Sequence, residues 1–229
     1  MSFMYSESDR RLVFFEGAVR ARVVTNPTRA FAVEVTFVND HPRMLALKAK
    51  KPPIHFHSRQ EEYFRVLEGG LGLELEGKEM VLGPDLGEFC IPRWHSHRIF
   101  PPPDNDGAGG SRPNRTRALV SGQQCPDTFK MDLMFFENWC AWQDELVSSG
   151  KAPDMIQLMC MWDSGDSYLS PPSWVPFGKV ISKVVAIVLG RWIGGLLGYQ
   201  PYFQKWTSDW SLACERMRSS TFWKYRADS

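Results

Sequence analysis

The stretch of sequence that decides the fold is His55-Phe56-His57-Ser58-Arg59-Gln60-Glu61-Glu62. On a β-strand, side chains two residues apart point to the same face, so His55 and His57 direct their imidazole rings into one space. Four residues then separate His57 from Glu62, and a hairpin-like reversal there brings the Glu62 carboxylate beside the two rings. We therefore expect two imidazoles and one carboxylate to share one site.

A third imidazole comes from much further along the chain, where Pro92-Arg93-Trp94-His95-Ser96 leads into His97. A residue so distant in sequence joins the site only through the tertiary fold. Three neutral imidazoles and one carboxylate suit Fe(II), Mn(II), Ni(II), Cu(II) or Zn(II), and they leave open positions for water, oxygen or substrate. We therefore predict one divalent metal ion on four ligands, which are also the predicted catalytic residues: His55, His57, Glu62 and His97.

The residues around these ligands are typical of β-structure. Short runs rich in valine and phenylalanine are separated by glycine, asparagine and proline, and Phe31–Val38 alternates in part between apolar and polar residues. Gly69-Gly70 and Glu76-Gly77-Lys78 mark turns. Many short strands at this spacing are typical of a sandwich or a barrel, with jelly-roll closure among the options. The predicted strands are 12–16, 19–24, 31–38, 54–57, 63–67, 71–76, 80–82, 88–92 and 116–121.

Two spaced motifs carry a resemblance to a known family. In His55–Gly69 the paired histidines, Glu62 and the final glycine are spaced as in the first cupin motif, with four residues before the glutamate and six after it. In Gly87–His97 a glycine, a proline and a histidine are separated from one another by four residues each, which resembles the second cupin motif. The resemblance implies an antiparallel β-barrel of about six to eight strands that holds the metal inside and is often dimeric.

The chain departs from the family pattern at two places. Trp94 stands where the family usually has a glycine, and Arg98–Phe100 follows His97 in place of an asparagine. Glu61 also competes with Glu62 for the role of carboxylate ligand. We prefer Glu62 because it leaves the six-residue gap that the first motif requires.

Three further residues have alternative interpretations. His95 is either an outer-sphere or proton-relay group next to His97, or an ordinary exposed histidine. Cys90 either lines the pocket or, as we prefer, is a buried and inert cysteine. His41 is predicted to be a turn residue.

The second half of the chain has a different character. Apolar residues at helical spacing predict a helix over 135–146, and a second helix is predicted over 154–162. We therefore divide the chain into a barrel at 1–128 and a helical extension at 129–229. A proline-, glycine- and serine-rich loop is predicted over 101–114.

The most apolar segment, an amphipathic stretch at 179–199, has three interpretations. Lys183 and Arg191 interrupt it, and Gly190, Gly194 and Gly198 permit the close approach of another helix. It is either a helix packed on the barrel or at a dimer interface, or an interfacial helix that gives peripheral membrane contact through 179–206. A membrane span is not predicted, because a charge near the centre of the bilayer is costly.

Composition and charge exclude several classes of function. The formal net charge of the 229 residues is +1 and the basic residues are dispersed, so no nucleic-acid partner is expected. The five cysteines form no CxxC pair, which is typical of a reduced protein. Met1–Arg11 lacks the apolar core of a secretory signal. We therefore expect an intracellular, cytoplasmic protein that is membrane-associated only if the apolar segment lies on a membrane.

The resemblance to cupins implies a metal-dependent enzyme. We rank first an oxidoreductase or oxygenase that tailors a small lipophilic metabolite, in natural-product biosynthesis, with Fe(II) as the first choice of metal and a homodimer as the assembly. The first alternative is an isomerase, cyclase or dehydratase that acts on the same class of substrate. The second is a non-catalytic cupin that binds a small ligand.

Overall fold

The computed structural model describes residues 6–47, 51–102 and 114–227. The chain divides into two compact units, each with its own internal contacts. The first consists of Met1–His55 and Glu61–Gln124, and the second consists of Phe56–Gln60 and Cys125–Ser229.

Eleven strands lie within the described residues. In chain order they are β1 (Ser6–Phe14), β2 (Val19–Thr25), β3 (Arg29–Val38), β4 (His55–His57), β5 (Glu62–Glu68), β6 (Leu71–Leu75), β7 (Lys78–Leu82), β8 (Glu88–Ile91), β9 (His97–Phe100), β10 (Arg115–Gln123) and β11 (Ser167–Leu169). One short helix, α1 (Pro42–Leu47), and two 3-10 turns, Phe15–Gly17 and Pro84–Leu86, also belong to the first unit.

The strands form two antiparallel sheets. One has the order β1-β2-β3-β10-β5-β8, and the other has the order β11-β4-β9-β6-β7. In the first sheet the long strand β10 is central, and its Leu119 lies opposite Glu34 of β3 and Arg65 of β5. Val33 and Leu73 are completely buried, as the apolar positions of these strands require. The predicted class, an antiparallel jelly-roll β-barrel followed by helices, is confirmed.

Some boundaries differ from those predicted. Strand β1 ends at Phe14 and not at Glu16, because Phe15 and Glu16 have positive φ angles of 54° and 57° and cannot continue an extended strand. Strands β9 and β11 were not predicted. Of the loop predicted over 101–114, residues 103–113 lie outside the described residues.

The second unit is mainly helical. Its helices are α2 (Leu133–Ser149), α3 (Met155–Ser164), α4 (Gly178–Ala186), a π-helical segment (Ile187–Gly194), α5 (Gly195–Leu197) and α6 (Trp210–Arg218), with a 3-10 turn at Lys224–Arg226. The two helices predicted over 135–146 and 154–162 are confirmed as α2 and α3.

Aspartate residues begin three of these helices. The side chains of Asp132, Asp154 and Asp209 each accept a hydrogen bond from a backbone N–H in the first turn of α2, α3 and α6. Such caps satisfy N–H groups that have no partner within the helix. Gly150 ends α2 in the left-handed conformation.

The second unit has a core of its own, in which the largest side chains are fully covered. Trp223, Tyr202 and Met217 are completely buried, and the Trp223 ring meets Phe129 edge to face. The residues of this cluster are Phe129, Met134, Cys160, Tyr202, Ala213, Cys214, Met217, Trp223 and Ala227.

The segments α4, π and α5 form one continuous helix, Gly178–Leu197, which we call the apolar helix. Within the described residues it is the one helix long and apolar enough to cross a membrane, judged by length and composition. Gly190 faces α3, and a β-carbon placed on it would lie 2.6 Å from the backbone of Met159 and 2.7 Å from that of Cys160. The glycines therefore permit the close approach of a helix from the same unit.

We expect Gly190→Ala to destabilise the protein by about 1–3 kcal/mol, because the added methyl group overlaps the backbone of α3. Helix propensity alone predicts the opposite sign, a gain of about 1 kcal/mol. Urea unfolding followed by circular dichroism measures the difference.

The matched control is Gly83→Ala, since a β-carbon there meets nothing within 4 Å and the φ angle of Gly83 is −115°. We expect Gly83→Ala to change stability by less than about 0.5 kcal/mol. A stabilising Gly190→Ala substitution would contradict the close packing of the two helices.

Candidate metal centre

The structure brings the four predicted ligands together. One ligand atom from each of them lies within 4.8 Å of all the others: His55, His57, Glu62 and His97. His55 and His57 begin and end β4, Glu62 opens β5, and His97 opens β9. The two-residue spacing on β4 turns both imidazoles to one face, as the sequence predicted.

Strand pairing and burial define the geometry of this group. His55 lies directly opposite His97 in the antiparallel pair of β4 and β9, and their ring centroids are 4.4 Å apart. The Nε2 atom of His97 is 3.0 Å from Oε2 of Glu62. His97, His57 and Glu62 are buried, and His55 is half-buried. Burial strengthens the interaction of these donors with a cation.

Hydrogen bonds to backbone carbonyls orient two of the rings. His97 Nδ1 lies 2.9 Å from the carbonyl oxygen of His95, and His55 Nδ1 lies 3.4 Å from that of Pro53. A carbonyl oxygen only accepts, so these contacts place an acceptor at Nδ1 of both rings. In His97 the Nε2 atom also faces an acceptor, the Glu62 carboxylate, and a bound cation would take the place of a proton there.

A side chain orients the third ring. His57 Nδ1 lies 3.2 Å from Oγ of Ser167, and this hydroxyl donates its own proton to the carbonyl oxygen of Gly165 at 3.2 Å. With its proton on that carbonyl, the hydroxyl offers its oxygen to Nδ1 of His57. Each of the three histidines thus has an oxygen at Nδ1, and Nε2 is the nitrogen that would coordinate a metal.

The donor set fits a divalent transition metal ion. It combines three neutral imidazole nitrogens with one carboxylate, a set that suits Fe(II), Mn(II), Ni(II), Cu(II) and Zn(II). The oxygens at Nδ1 orient each imidazole so that Nε2 is the nitrogen left for an ion. Metal binding by this group stays a prediction, and the residues that would hold the ion fit it.

The geometry separates the two adjacent glutamates. Glu62 belongs to the group, whereas the Glu61 carboxylate accepts a hydrogen bond of 2.5 Å from the hydroxyl of Tyr63. The backbone N–H of Glu61 donates to the side chain of Gln123. The contacts therefore favour Glu62 as the ligand, which is the choice made from motif spacing.

The turn before His97 keeps an unusual conformation despite its tryptophan. Trp94 has a φ angle of +65°, a region that glycine adopts without strain and that costs another residue about 1–2 kcal/mol. Within the turn, the N–H of His95 donates a hydrogen bond to the carbonyl of Pro92. The N–H of Ser96 donates to the carboxylate of Glu76, and the carbonyl of Ser96 accepts from the N–H of Glu76. Trp94 therefore adopts the left-handed backbone conformation that the glycine usual at this position would adopt.

The two motif glycines are explained by backbone conformation. Gly69 has φ of +75°, and a β-carbon there would lie 2.6 Å from the carbonyl oxygen of Arg115. Gly87 has φ of +70° at the end of the Pro84–Leu86 turn. Both positions need the freedom that only glycine has.

The remaining candidates lie outside the group. His95 contributes its backbone carbonyl to His97, while its own ring nitrogen Nδ1 lies 3.1 Å from the carbonyl of Arg93. Cys90 is exposed, so the prediction of a buried cysteine is wrong; it lies on β8, where one face of the strand is open to solvent.

His41 is confirmed as a turn residue, and its Nδ1 accepts a hydrogen bond from the N–H of Arg43.

Sequence reasoning missed Ser167. It lies 110 residues after His57 and belongs to the three-residue strand β11. A lone serine in a short strand carries no spacing signal, so only the tertiary structure reveals it.

We expect Glu62→Gln to lower the affinity for Mn(II), Fe(II) or Co(II) by at least about 100-fold, because the amide is a neutral and weaker donor. Isothermal titration of the metal-free protein measures the change. The neighbouring Glu61→Gln serves as the matched control and is expected to retain the affinity. Equal losses in both variants would contradict the assignment of Glu62.

Comparisons with known proteins place the chain among relatives. No family model matches it. It is 39% identical to the oxidoreductase AOL_s00215g277 of Arthrobotrys oligospora over 96% of this chain and 86% of that protein. It is 42% identical to the probable oxidoreductase yanE of Aspergillus niger over 80% and 70%. It is 39% identical to the epoxidase atD of Aspergillus terreus over 74% of this chain but only 51% of that protein.

Solved structures of similar fold include the cupin domain of Schizosaccharomyces pombe Cnp3, with a TM-score of 0.32, 16% identity and coverage of 59% of this chain and 73% of that one. Another is a cupin-superfamily sugar phosphate isomerase from Silicibacter pomeroyi, with a TM-score of 0.35, 18% identity and coverage of 51% and 72%. The antiparallel barrel, both motifs and the ligand group are present in this chain itself. The chain therefore belongs to the family of fungal oxidoreductases that its relatives represent, and its barrel and motifs resemble those of cupins.

Proposed function

We propose that the chain is a metal-dependent oxidoreductase of the cupin type that acts on a small lipophilic metabolite. The observation that carries the proposal is the group of four ligands in which each histidine presents Nε2 and Glu62 supplies a carboxylate. The oxidoreductase names of the relatives support redox chemistry over the alternatives of isomerisation, cyclisation or dehydration, and over ligand binding alone.

The residues of the site have distinct roles in this proposal. A divalent ion, with Fe(II) as first choice, supplies Lewis-acid and redox chemistry when bound there. The three imidazoles hold its position through neutral nitrogens, and Glu62 offsets part of its charge. The burial of His97 and His57 keeps bulk water from most of the ligand set. Four protein ligands leave coordination positions open for a substrate or co-substrate.

We propose a small apolar molecule as substrate. Aromatic residues make up 13% of the chain, including nine tryptophans, a content that is compatible with an apolar pocket and equally with core packing such as that of Trp223. One relative is named an epoxidase, atD of Aspergillus terreus, and on this ground we take unsaturated compounds as first candidates.

We expect the Fe(II)-loaded protein to consume oxygen in the presence of at least one member of a panel of small phenols, quinols and alkenes. In His97→Ala the rate is expected to fall at least about 100-fold, because the metal is lost with its most buried ligand. An oxygen electrode and product analysis by mass spectrometry measure both effects.

The matched control for this assay is His41→Ala, since His41 lies in a turn outside the ligand group. It is expected to retain the rate. Turnover of the same compounds by the Zn(II)-loaded protein without oxygen uptake would contradict the oxidoreductase proposal and support the isomerase alternative.

We also propose that an intracellular membrane surface is a partner, through the outward face of the apolar helix. Every buried residue of that helix is glycine or alanine: Gly178, Ala186, Gly190, Gly194 and Gly195. Its bulky residues face outward, and so do two aromatic residues that precede it, Trp174 at 79% and Phe177 at 84% exposure. Large apolar side chains outside and small ones inside are the reverse of a water-facing helix, and a bilayer is the surrounding they suit.

The apolar helix contains three basic residues, Lys179, Lys183 and Arg191. Nζ of Lys179 lies 6.0 Å from the centroid of the Phe56 ring, and the other two charges point away from the outward face. Arg191 makes a bidentate pair with the buried Asp163 at 2.6 and 2.9 Å. Lys183 donates to the hydroxyl of Ser58 at 2.7 Å and lies 3.9 Å from Asp166. The charges that argued against an apolar surrounding are therefore paired within the second unit. The small residues that would suit a second copy of the helix already pack against α3, so a lipid surface is the better partner. The homodimer expected from the cupin resemblance remains a proposal, and its interface would lie outside the outward face of the apolar helix.

We expect the protein to float with phosphatidylcholine vesicles in a density gradient, with little effect of added phosphatidylserine or salt, because the face is apolar. Val184→Asp and Phe177→Asp are expected to lower binding at least about tenfold, since each removes apolar contact worth about 1.5–3 kcal/mol. Val13→Asp, at an equally exposed valine of β1, is the matched control. Altered oligomeric state in the helix variants without any vesicle binding would contradict the membrane proposal.

A further inference from the structure

The turn Gly165-Asp166-Ser167 makes two separate contacts with the segment that carries His57. Ser167 lies against the ring of His57, and Asp166 lies against the backbone that follows it. Asp166 and Ser167 are both buried. Two adjacent residues of one turn thus contact the ring of His57 and the backbone of Ser58 and Arg59 that follows it.

Ser167 differs from the acceptors that orient the other two histidines. His97 and His55 are oriented by backbone carbonyls, whereas His57 is oriented by a side-chain hydroxyl. The hydroxyl proton goes to the carbonyl of Gly165, which leaves an oxygen lone pair to accept from Nδ1 of His57. Of the three ring orientations, this one depends on a side chain that mutation can remove.

Asp166 holds the chain immediately after His57. Its carboxylate accepts the N–H of Ser58 at 2.8 Å, the hydroxyl of Ser58 at 2.5 Å and the N–H of Arg59 at 2.6 Å. Asp166 has a φ angle of +51°, an unfavourable conformation that persists where the surroundings determine it. The three bonds to one carboxylate account for that conformation.

Positive charges offset the burial of Asp166. Nζ of Lys183 lies 3.9 Å and Nε of Arg59 lies 3.8 Å from its carboxylate. Burial lowers the pKa of Lys183, and the neighbouring Asp166 acts in the opposite direction. Two cationic side chains thus lie beside the carboxylate that accepts from the backbone of residues 58 and 59.

We propose that Asp166 and Ser167 are positioning residues of the metal centre. Ser167 holds His57 in the tautomer and orientation that present Nε2, and Asp166 fixes the backbone from which that ring projects. The inference rests on the proposed metal-dependent function. It assigns to the helical extension a direct part in metal affinity, through His57 and not through the other three ligands.

Co(II) titration of the metal-free protein, followed by calorimetry and by visible absorption, tests the proposal. Ser167→Ala is expected to raise the dissociation constant about 10–100-fold, the usual effect of losing an outer partner of a histidine ligand, and to shift the Co(II) absorption bands. Ser164→Ala is the matched control, because Ser164 is also buried and its hydroxyl donates to the carbonyl of Met161. It is expected to leave both readouts unchanged.

A pair of variants of equal size separates positioning from packing. Ser167→Thr retains the hydroxyl and Ser167→Val removes it, so Thr is expected to bind within about threefold of wild type and Val to match the loss seen in Ala. Thermal unfolding of the metal-free forms checks that the pair has equal stability. This comparison decides the question even if Ser167→Ala fails to fold.

The outcomes distinguish the inference from the function on which it rests. Wild-type protein that binds Co(II), together with Ser167→Val of equal affinity and spectrum, would overturn the positioning role alone. Wild-type protein that binds none of Co(II), Mn(II), Fe(II) or Zn(II) would overturn the metal centre and the inference with it.

Discussion

The antiparallel pairing of β4 with β9 sets His55 directly opposite His97, and the rest of the site depends on this register. A shift of one residue would turn either ring to the other face of its sheet and disperse the four donors. The pairing of β5 with β8 and β10 similarly determines where Glu62 projects. Backbone hydrogen bonds that are shared by every antiparallel sheet therefore determine a specific ligand geometry.

Fixed register alone does not decide which nitrogen of each ring faces the site. Each imidazole meets an oxygen at Nδ1, and in two cases this oxygen is a backbone carbonyl of the segment that precedes the ligand strand. The turn residue Trp94 keeps a left-handed backbone just before His95, whose carbonyl orients His97. The conformation of the turn is thus linked to the orientation of a ligand, and this is a physical reason for its glycine-type geometry.

Much of the site could be predicted from local spacing. The separation of His55 from His57 is meaningful on any strand, and the preference for Glu62 over Glu61 agrees with the hydrogen bond that occupies Glu61. Exposure was harder to predict: Cys90 lies in an apolar-looking run, yet its side chain is exposed on β8. In the apolar helix, Lys183, Arg191 and the glycines Gly190 and Gly194 lie on the inner face, toward the rest of the second unit. The small residues of this helix are buried and its bulky apolar residues are exposed. The mean hydropathy of the segment does not show which of its faces is exposed.

By itself, the sequence determined the strand-rich first half, the helical second half and the common face of His55 and His57, because periodicity and short spacings act within a few residues. The choice of Glu62 and His97 as donors came from the spacing of the two motifs. Only the tertiary structure decided that Ser167 orients His57 and that Asp163 and Asp166 pair with Arg191 and Lys183. These partners are between 17 and 110 residues apart along the chain, as 183 − 166 = 17 and 167 − 57 = 110 show. Hydrogen bonds and ion pairs act over a few ångströms, so contacts between such distant residues exist only once the chain has folded.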